Sequence, residues 1–530
     1  MLAKEITGTG GGCIGLIEVS DFSPAGIANF NTQFNLTAFG SAGGPTLTDV
    51  LAPGNENPGT NEREDETMLD IEYAHAFAPG ASIKVYLADP GSAANPNDIN
   101  ASVAALTSAV NDDACTAMSI SIKSCGFPDS FYTGALNTTL LQAQAQMQTV
   151  FVAEGDEGAA EFNPSDCSEY GVSPNVNELA SNPLITAVGG TQFIPTYENG
   201  NDVGFVAEQA WNEMSRDSTG IASTGGGLST VFTKPTFQTN GTPDDGQRDV
   251  PDISMEAACS TPGVFSVFPD RASGNAVKCC ACGTSLGAPI WAGITELIVQ
   301  TNGGGVGTLN PTLYSLGNRQ DTASTGIRDV ISGNNDFDNT SVNPSVEVTG
   351  FTAAAGYDLA TGWGTPDLAV FVPAFLGLPV PTTTPTATST TKPTPSRTPT
   401  PTRTPTATPT PGPAKLTITK SISFGKTTEV GDTSKPKDAT VKNASPKKGG
   451  GTAIIATATT DNPLFAVTER CSPATLEPGK SCKIGVTFKP ISTTAVTGHL
   501  IIDRQCGRLA ADDPAIGNRQ STEGEKIARD

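Results

Sequence analysis

Between Pro379 and about Pro413 the chain is almost entirely proline and threonine, beginning P-T-T-T-P-T-A-T and ending T-P-T-P-G-P. No other feature limits folding so strongly. Proline fixes φ and removes a backbone donor, and neither residue supplies the apolar bulk that a core requires. The tract therefore reads as an extended, polyproline-II-rich spacer open to O-glycosylation. The rest of the 530 residues must fold as separate bodies on either side of it. The expected division is a large domain over 1–378, a spacer over 379–414, a small domain over 415–503 and an irregular tail over 504–530.

The two sides differ in charge. Residues 1–378 hold 11 basic and 42 acidic side chains, whereas the remainder holds 20 and 12. A large acidic excess repels itself at neutral pH and is relieved as carboxylates protonate. It also excludes nucleic acid as a partner of the first domain, because no basic patch is available to neutralise phosphates. No apolar run of ~18 residues predicts a membrane span.

Cys282 to Pro289 reads C-G-T-S-L-G-A-P and is followed by the apolar run Ile290-Trp291-Ala292-Gly293-Ile294. The pattern sets Ser285 at the start of a buried helix, where unpaired N–H groups and the helix dipole favour negative charge. A serine there is placed to attack a carbonyl beside those donors. Taken alone, the run reads equally well as an ordinary capped helix. A serine nucleophile needs a base, and the chain has only two histidines, His75 and His499. Neither is followed by the Gly-Thr expected around a subtilisin-type histidine. A carboxylate remains. Glu66 and Asp70 share one face of a helix at i, i+4 spacing, beside the apolar positions Leu69, Tyr73, Ala76 and Phe77. Without further context, Asn61 to Glu72 is a solvated charge run. A third carboxyl, Asp156, follows the apolar strand Phe151-Val152-Ala153 in a Gly-Asp-x-Gly turn.

Together these segments resemble the sedolisins, the serine-carboxyl peptidases. Gly283, Thr284, Ser285 and Pro289 match their S-G-T-S-x-x-x-P motif, with Cys282 in place of the leading serine. E-x-x-L-D-I-E followed by A-P-G-A matches the segment that carries the base and its partner. Blocks at Thr186–Thr191, Gly225–Ser229 and Arg248–Ser254 occur in the family's order, so the resemblance covers roughly residues 10 to 370. Ser119-Ile120-Ser121 resembles the strand that pairs with substrate, although the usual S-W-G is altered over Ile122 to Cys125.

The resemblance implies an α/β subtilisin-like fold with a mostly parallel central sheet. It also implies a peptidase in which Ser285 attacks, Glu66 accepts its proton, Asp70 orients Glu66, and Asp156 occupies the oxyanion position. Asp156 can donate to an oxyanion only when protonated, which points to acidic working conditions. One structural Ca2+ is implied as well, with side-chain oxygens from Asp329 and Asp358 and carbonyls from Val330, Ala354 and Gly356. The Gly333–Asp338 run lacks EF-hand spacing and reads as loop.

Beyond the spacer, Lys415–Thr419 and Ile484–Phe488 alternate as half-buried strands do. The region, with L-E-P-G-K-S-C-K-I-G-V-T-F-K-P, resembles immunoglobulin-type β-sandwiches of bacterial surface proteins. It is expected to tether or bind, with contact to a cell surface or polymer. The 11 cysteines fit an exported chain. Proximity in sequence offers Cys115 with Cys125, Cys471 with Cys482, and Cys259 with Cys279 or Cys280. The expected product is a monomeric, secreted or surface-held endopeptidase acting on polypeptides. The alternative is an inactive peptidase scaffold used for adhesion. No signal peptide precedes Ile6, and the first strand is expected near Ile14–Val19. The family is made with a signal and a pro-domain, so the sequence reads as a mature fragment or a truncated or misframed reading of its gene.

Overall fold

A computed structural model describes residues 6–90, 99–124, 127–162, 171–198, 201–214, 221–259, 263–269, 276–339 and 346–380. After the spacer it describes 416–418, 421–424, 432–445, 447, 453–460, 464–469, 474–490, 497–504 and 525–528. The chain divides into two compact units, Met1–Val380 and Pro381–Asp530. Pro381 to Ala414, most of the expected spacer, lies outside the described residues.

The first unit is organised by strands β1 (Cys13–Glu18), β2 (Leu47–Leu51), β3 (Ser82–Leu87), β4 (Ala117–Ile120), β5 (Thr149–Ala153), β6 (Thr186–Glu198) and β7 (Asn201–Ala210). With strand Ile253–Glu256 they form one sheet in the order β2-β3-β1-β4-β5-β6-(Ile253–Glu256), and β7 pairs with β6. Only the β6–β7 pairing is antiparallel. Every residue of β1, β4 and β5 is buried, as expected for parallel strands covered by helices on both faces. Alternate β1 residues supply the two cores. Ile14 and Leu16 join one with Met68, Ile71, Trp291 and Ile294. Ile17 joins the other with Ala105, Leu106, Leu136 and Leu140.

The chain runs from β1 outward to β2 and back through β3, then crosses to β4 on the other side of β1. Ligand sites in such sheets lie beyond the strand C-termini where the order reverses. Helix α1 (Pro24–Phe34) follows β1, and helix α2 (Glu64–Phe77) carries three carboxylates in its first turn, where the helix dipole favours them. The turn Thr284–Leu286 leads directly into helix Gly287–Asn302, whose residues from Gly287 to Val299 are all buried.

Two disulfides differ from the pairing expected by sequence proximity. Cys115 bonds Cys13, because the β1–β4 register of Ile14 opposite Ala117 brings the two preceding segments together. Cys259 bonds Cys282 rather than Cys279 or Cys280. The intervening strands Val264–Pro269 and Ala276–Ala281 form a hairpin whose final pair, Val264 and Ala281, juxtaposes the flanking residues. Cys471, the expected partner of Cys482, lies outside the described residues.

In the second unit one sheet contains Leu416–Ile418, Lys437–Asn443, Ser481–Phe488 and Phe465–Glu469. The other contains Ser421–Ser423, Glu525–Ala528, Thr497–Arg504, Ala453–Thr460 and Ala474–Leu476. Its apolar cluster includes Phe424, Val441, Phe465, Ile484 and Phe488. Ser481–Phe488 is buried continuously from Ile484 onward instead of alternating, since it lies between two neighbouring strands. Glu525–Ala528 forms a strand inside the expected irregular tail; four residues are too few to register as a periodic pattern.

Candidate active site

The side chains expected to act gather beyond the C-terminal ends of β1, β4 and β5, at the reversal in strand order. Arg63, Glu66, Ser121, Lys123, Asp156, Glu157, Thr284 and Ser285 line one cleft there. Ser285 and Glu66 line this cleft together, with the Ser285 side chain beside the Glu66 carboxyl. Burial is the main influence on Glu66 and, with the nearby Asp156 charge, pushes its carboxyl up to about 7 despite the opposing influence of the Ser285 side chain.

Behind Glu66, Asp70 is completely buried. The Ser121 hydroxyl donates to both of its oxygens, at 3.1 and 2.9 Å, and also lies 3.4 Å from the Ser285 carbonyl. Burial and the neighbouring Glu18 and Glu66 charges hold Asp70 well above the usual carboxylate range. Glu18, the last residue of β1, hydrogen-bonds Asp70 and accepts from Thr67 Oγ1 at 3.1 Å. Burial lifts Glu18 to about 8. Three carboxyls thus run inward from Ser285, and they titrate as a set. Sequence reasoning missed Glu18. Its signal was a carboxylate closing the otherwise apolar run Cys13–Glu18, a costly position unless the group is neutral or partnered.

Asp156 faces the Thr284–Leu286 turn from the end of β5. Its Oδ1 accepts from Thr284 N at 2.8 Å and Thr284 Oγ1 at 3.0 Å, while Thr284 Oγ1 accepts from Gly155 N at 2.9 Å. Oδ2 lies 2.6 Å from where a Cβ on Gly283 would stand, and Gly283 has φ +111°, so only glycine fits the turn. Burial and Glu157 raise Asp156 to about 6, leaving it a neutral donor in acid. Lys123 pairs with Glu157 at 2.5 Å on the same wall. His75, by contrast, is buried under the Phe39 ring with Nε2 2.8 Å from the Thr37 carbonyl. His499 belongs to the second unit.

The expected calcium residues also share one place, between the loops at 329–330 and 354–358. Asp329 Oδ2 accepts from Gly356 N at 2.7 Å, and Asp358 Oδ2 from Ala354 N at 2.9 Å. Asp358 Oδ1 accepts from the Ala360 and Thr361 amides at 3.0 and 2.8 Å. Among the described residues the carbonyls of Val330, Ala354 and Gly356 accept no hydrogen bond. Two carboxylates and three available carbonyls form an all-oxygen donor set of the kind a hard cation takes. No group of three or more His, Cys, Asp or Glu suited to a metal occurs among the described residues, so such a site depends on backbone oxygens.

No family model matches the sequence. Kumamolisin of Bacillus sp. (strain MN-32) is 31% identical over 370 residues, covering 67% of this chain and 58% of the relative. Sedolisin of Pseudomonas sp. (strain 101) is 30% identical over 362 residues, covering 67% and 54%. Human tripeptidyl-peptidase 1 is 28% identical over 260 residues, covering 47% and 40%. The chain thus spans little more than half the length of the first two relatives. Among solved structures, Pseudomonas sedolisin, a serine-carboxyl proteinase complexed with pseudo-iodotyrostatin, aligns with a TM-score of 0.55 at 26% identity. That alignment covers 70% of this chain and 93% of the other. In sequence and in its α/β, mostly parallel architecture, this chain is similar to the sedolisins.

Proposed function

We propose that this chain is an exported endopeptidase of the serine-carboxyl type, acting on polypeptides in acid. The observation that carries the reading is a serine sharing one cleft with a buried, raised glutamate at the head of a carboxyl chain, with a separately raised aspartate across the turn. Ser285 Oγ attacks the scissile carbonyl while Glu66 takes its proton, and Asp70, backed by Glu18 and Ser121, holds Glu66 in place. The oxyanion forms beside protonated Asp156, which donates to it together with backbone N–H of the turn. Glu66 then delivers the proton to the leaving amine. Water repeats the sequence on the acyl-enzyme and releases Ser285. Asp329, Val330, Ala354, Gly356 and Asp358 would hold one Ca2+, which when bound ties the two loops together. The second unit serves as a tether or binding module.

Cleavage of an unfolded protein across pH tests the reading, with Ser285→Ala as control. Cleavage that peaks on the acid side of neutrality and disappears in the variant is the expected result. A folded, calcium-supplied chain with no cleavage at any pH would move the assignment to a binding scaffold.

A further inference from the structure

Cys282 replaces a serine of the motif, and its sulfur is bonded to Cys259 three residues before the nucleophile. The bond lies within a set of restraints that converge on Ser285. Gly283 N donates to the Ala257 carbonyl at 2.8 Å, so both Cys282 and its neighbour are tied to the 257–259 segment. On the other side, Thr284 is held to Asp156 through its amide and hydroxyl. The bridge also closes the base of the hairpin between Val264 and Ala281. That hairpin rests on the helix of the general base: Ser266 Oγ donates to Glu72 Oε2 at 2.8 Å, Val267 N to the same carboxyl at 3.2 Å, and Tyr73 Oη to the Phe265 carbonyl at 2.9 Å. A continuous path therefore runs from Ser285 through the disulfide and hairpin to α2, which carries Glu66 and Asp70.

We propose that the Cys259–Cys282 bridge is a positioning device that holds the Ser285 turn against the Glu66 helix, making the activity depend on the bond being formed. The inference rests on the peptidase reading. Attack and proton transfer need the hydroxyl, the base and the oxyanion donors in register, and misplacement by about 1 Å costs about a hundredfold in rate. The turn is short and glycine-containing, so without the bridge the hydrogen bond that ties it to that segment among the described residues is Gly283 N to the Ala257 carbonyl. Both cysteines are only partly buried, whereas Cys13 and Cys115 are buried, so of these two bridges the one beside Ser285 is the more open to thiols.

The test compares the oxidised full chain with the Cys259→Ser/Cys282→Ser double variant, which leaves no unpaired thiol at the bridge. A peptide substrate is used in acid, and folding is followed by near-ultraviolet circular dichroism. The expected result is a kcat lower by about tenfold to a hundredfold with KM within about twofold, and a displaced pH profile, in a folded variant. Unchanged kcat and pH profile would overturn the proposal. Should the double variant not fold, the wild-type chain is reduced with a mild monothiol, each bridge taking up two electrons and two protons as two thiols become their disulfide. The opened cysteines are alkylated and mapped. Activity that falls in step with Cys259–Cys282 opening, and returns on reoxidation of an unalkylated sample, supports the clamp; full activity with the bond open sinks it. An oxidised wild-type chain without Ser285-dependent cleavage overturns the peptidase reading and the clamp together, which separates that failure from the clamp's own.

Discussion

Asp156 and Glu66 face each other across Ser285 and must be in opposite protonation states to do their proposed work. Glu66 takes a proton only when ionised, whereas Asp156 donates only when neutral. With Glu66 at about 7 and Asp156 at about 6, the product of the two required fractions is largest between these values. It falls below as the Glu66 set stays protonated and above as Asp156 ionises. The expected kcat/KM profile is therefore a bell with a weakly acidic maximum. Asp156→Asn keeps an amide donor at every pH, so the variant should lose the descending limb while retaining activity. A limb that stays in place would remove Asp156 from the oxyanion role. Glu66→Gln should lower kcat by about a hundredfold to ten-thousandfold, read by steady-state kinetics in the variant shown to be folded.

Among the elements, helix Gly287–Asn302 bears most directly on the site, since it begins two residues after Ser285. Its Trp291 stacks on Phe151 of β5 at 6.3 Å between centroids and meets Phe371 edge-on at 5.5 Å. Trp291 thereby joins the strand that presents Asp156 to the helix that follows Ser285. Trp291→Ala should cost about 3–5 kcal/mol of stability, measurable by denaturant titration of the full chain. The two loops at Asp329 and Asp358 are joined through Asp329 Oδ2 and the Gly356 amide. Chelation of divalent ions should lower the first unit's melting temperature, and added Ca2+ should restore it in wild type but not in Asp358→Asn. Identical melting with and without chelator would dismiss the calcium reading.

For the whole molecule, buried carboxyls set the pH range in which the fold is stable. Glu18 and Glu72 are raised to about 8, Glu296 to about 7 and Asp156 to about 6, in each case chiefly by burial. The unfolded chain titrates these groups near ~4. Raised folded values mean that the native state binds protons more tightly than the unfolded one. Their stabilising effect is therefore fully present below the unfolded value and is lost as pH rises toward 8. The melting temperature should be highest in acid and decline between about pH 4 and about pH 8. Glu296→Gln removes one such charge from beside Thr116 and should raise neutral-pH stability by at least about 1 kcal/mol, flattening the decline. A melting temperature that rises with pH would contradict this account.

Local patterns in the sequence determined a good deal. The division of the chain after Val380 falls where the Pro/Thr tract begins, since such a composition cannot bury apolar surface. Fully apolar runs such as Phe151–Ala153 read as interior strands, and the residues around Ser285 read as a turn entering a buried helix. The resemblance carried by Ser285, Glu66, Asp70 and Asp156 named four residues, of which Ser285, Glu66 and Asp156 line one cleft and Asp70 lies buried behind Glu66. Other features depended on contacts between distant segments. Glu18 joins the carboxyl chain because β1 lies beside β4 and under α2, which no local pattern encodes. Cys13 finds Cys115 through sheet register, and Cys259 finds Cys282 through the hairpin between them, so proximity along the chain misled. The raised carboxyls follow the same rule. Residue type fixes what a group can exchange with solvent, whereas only tertiary burial decides at what pH it does so.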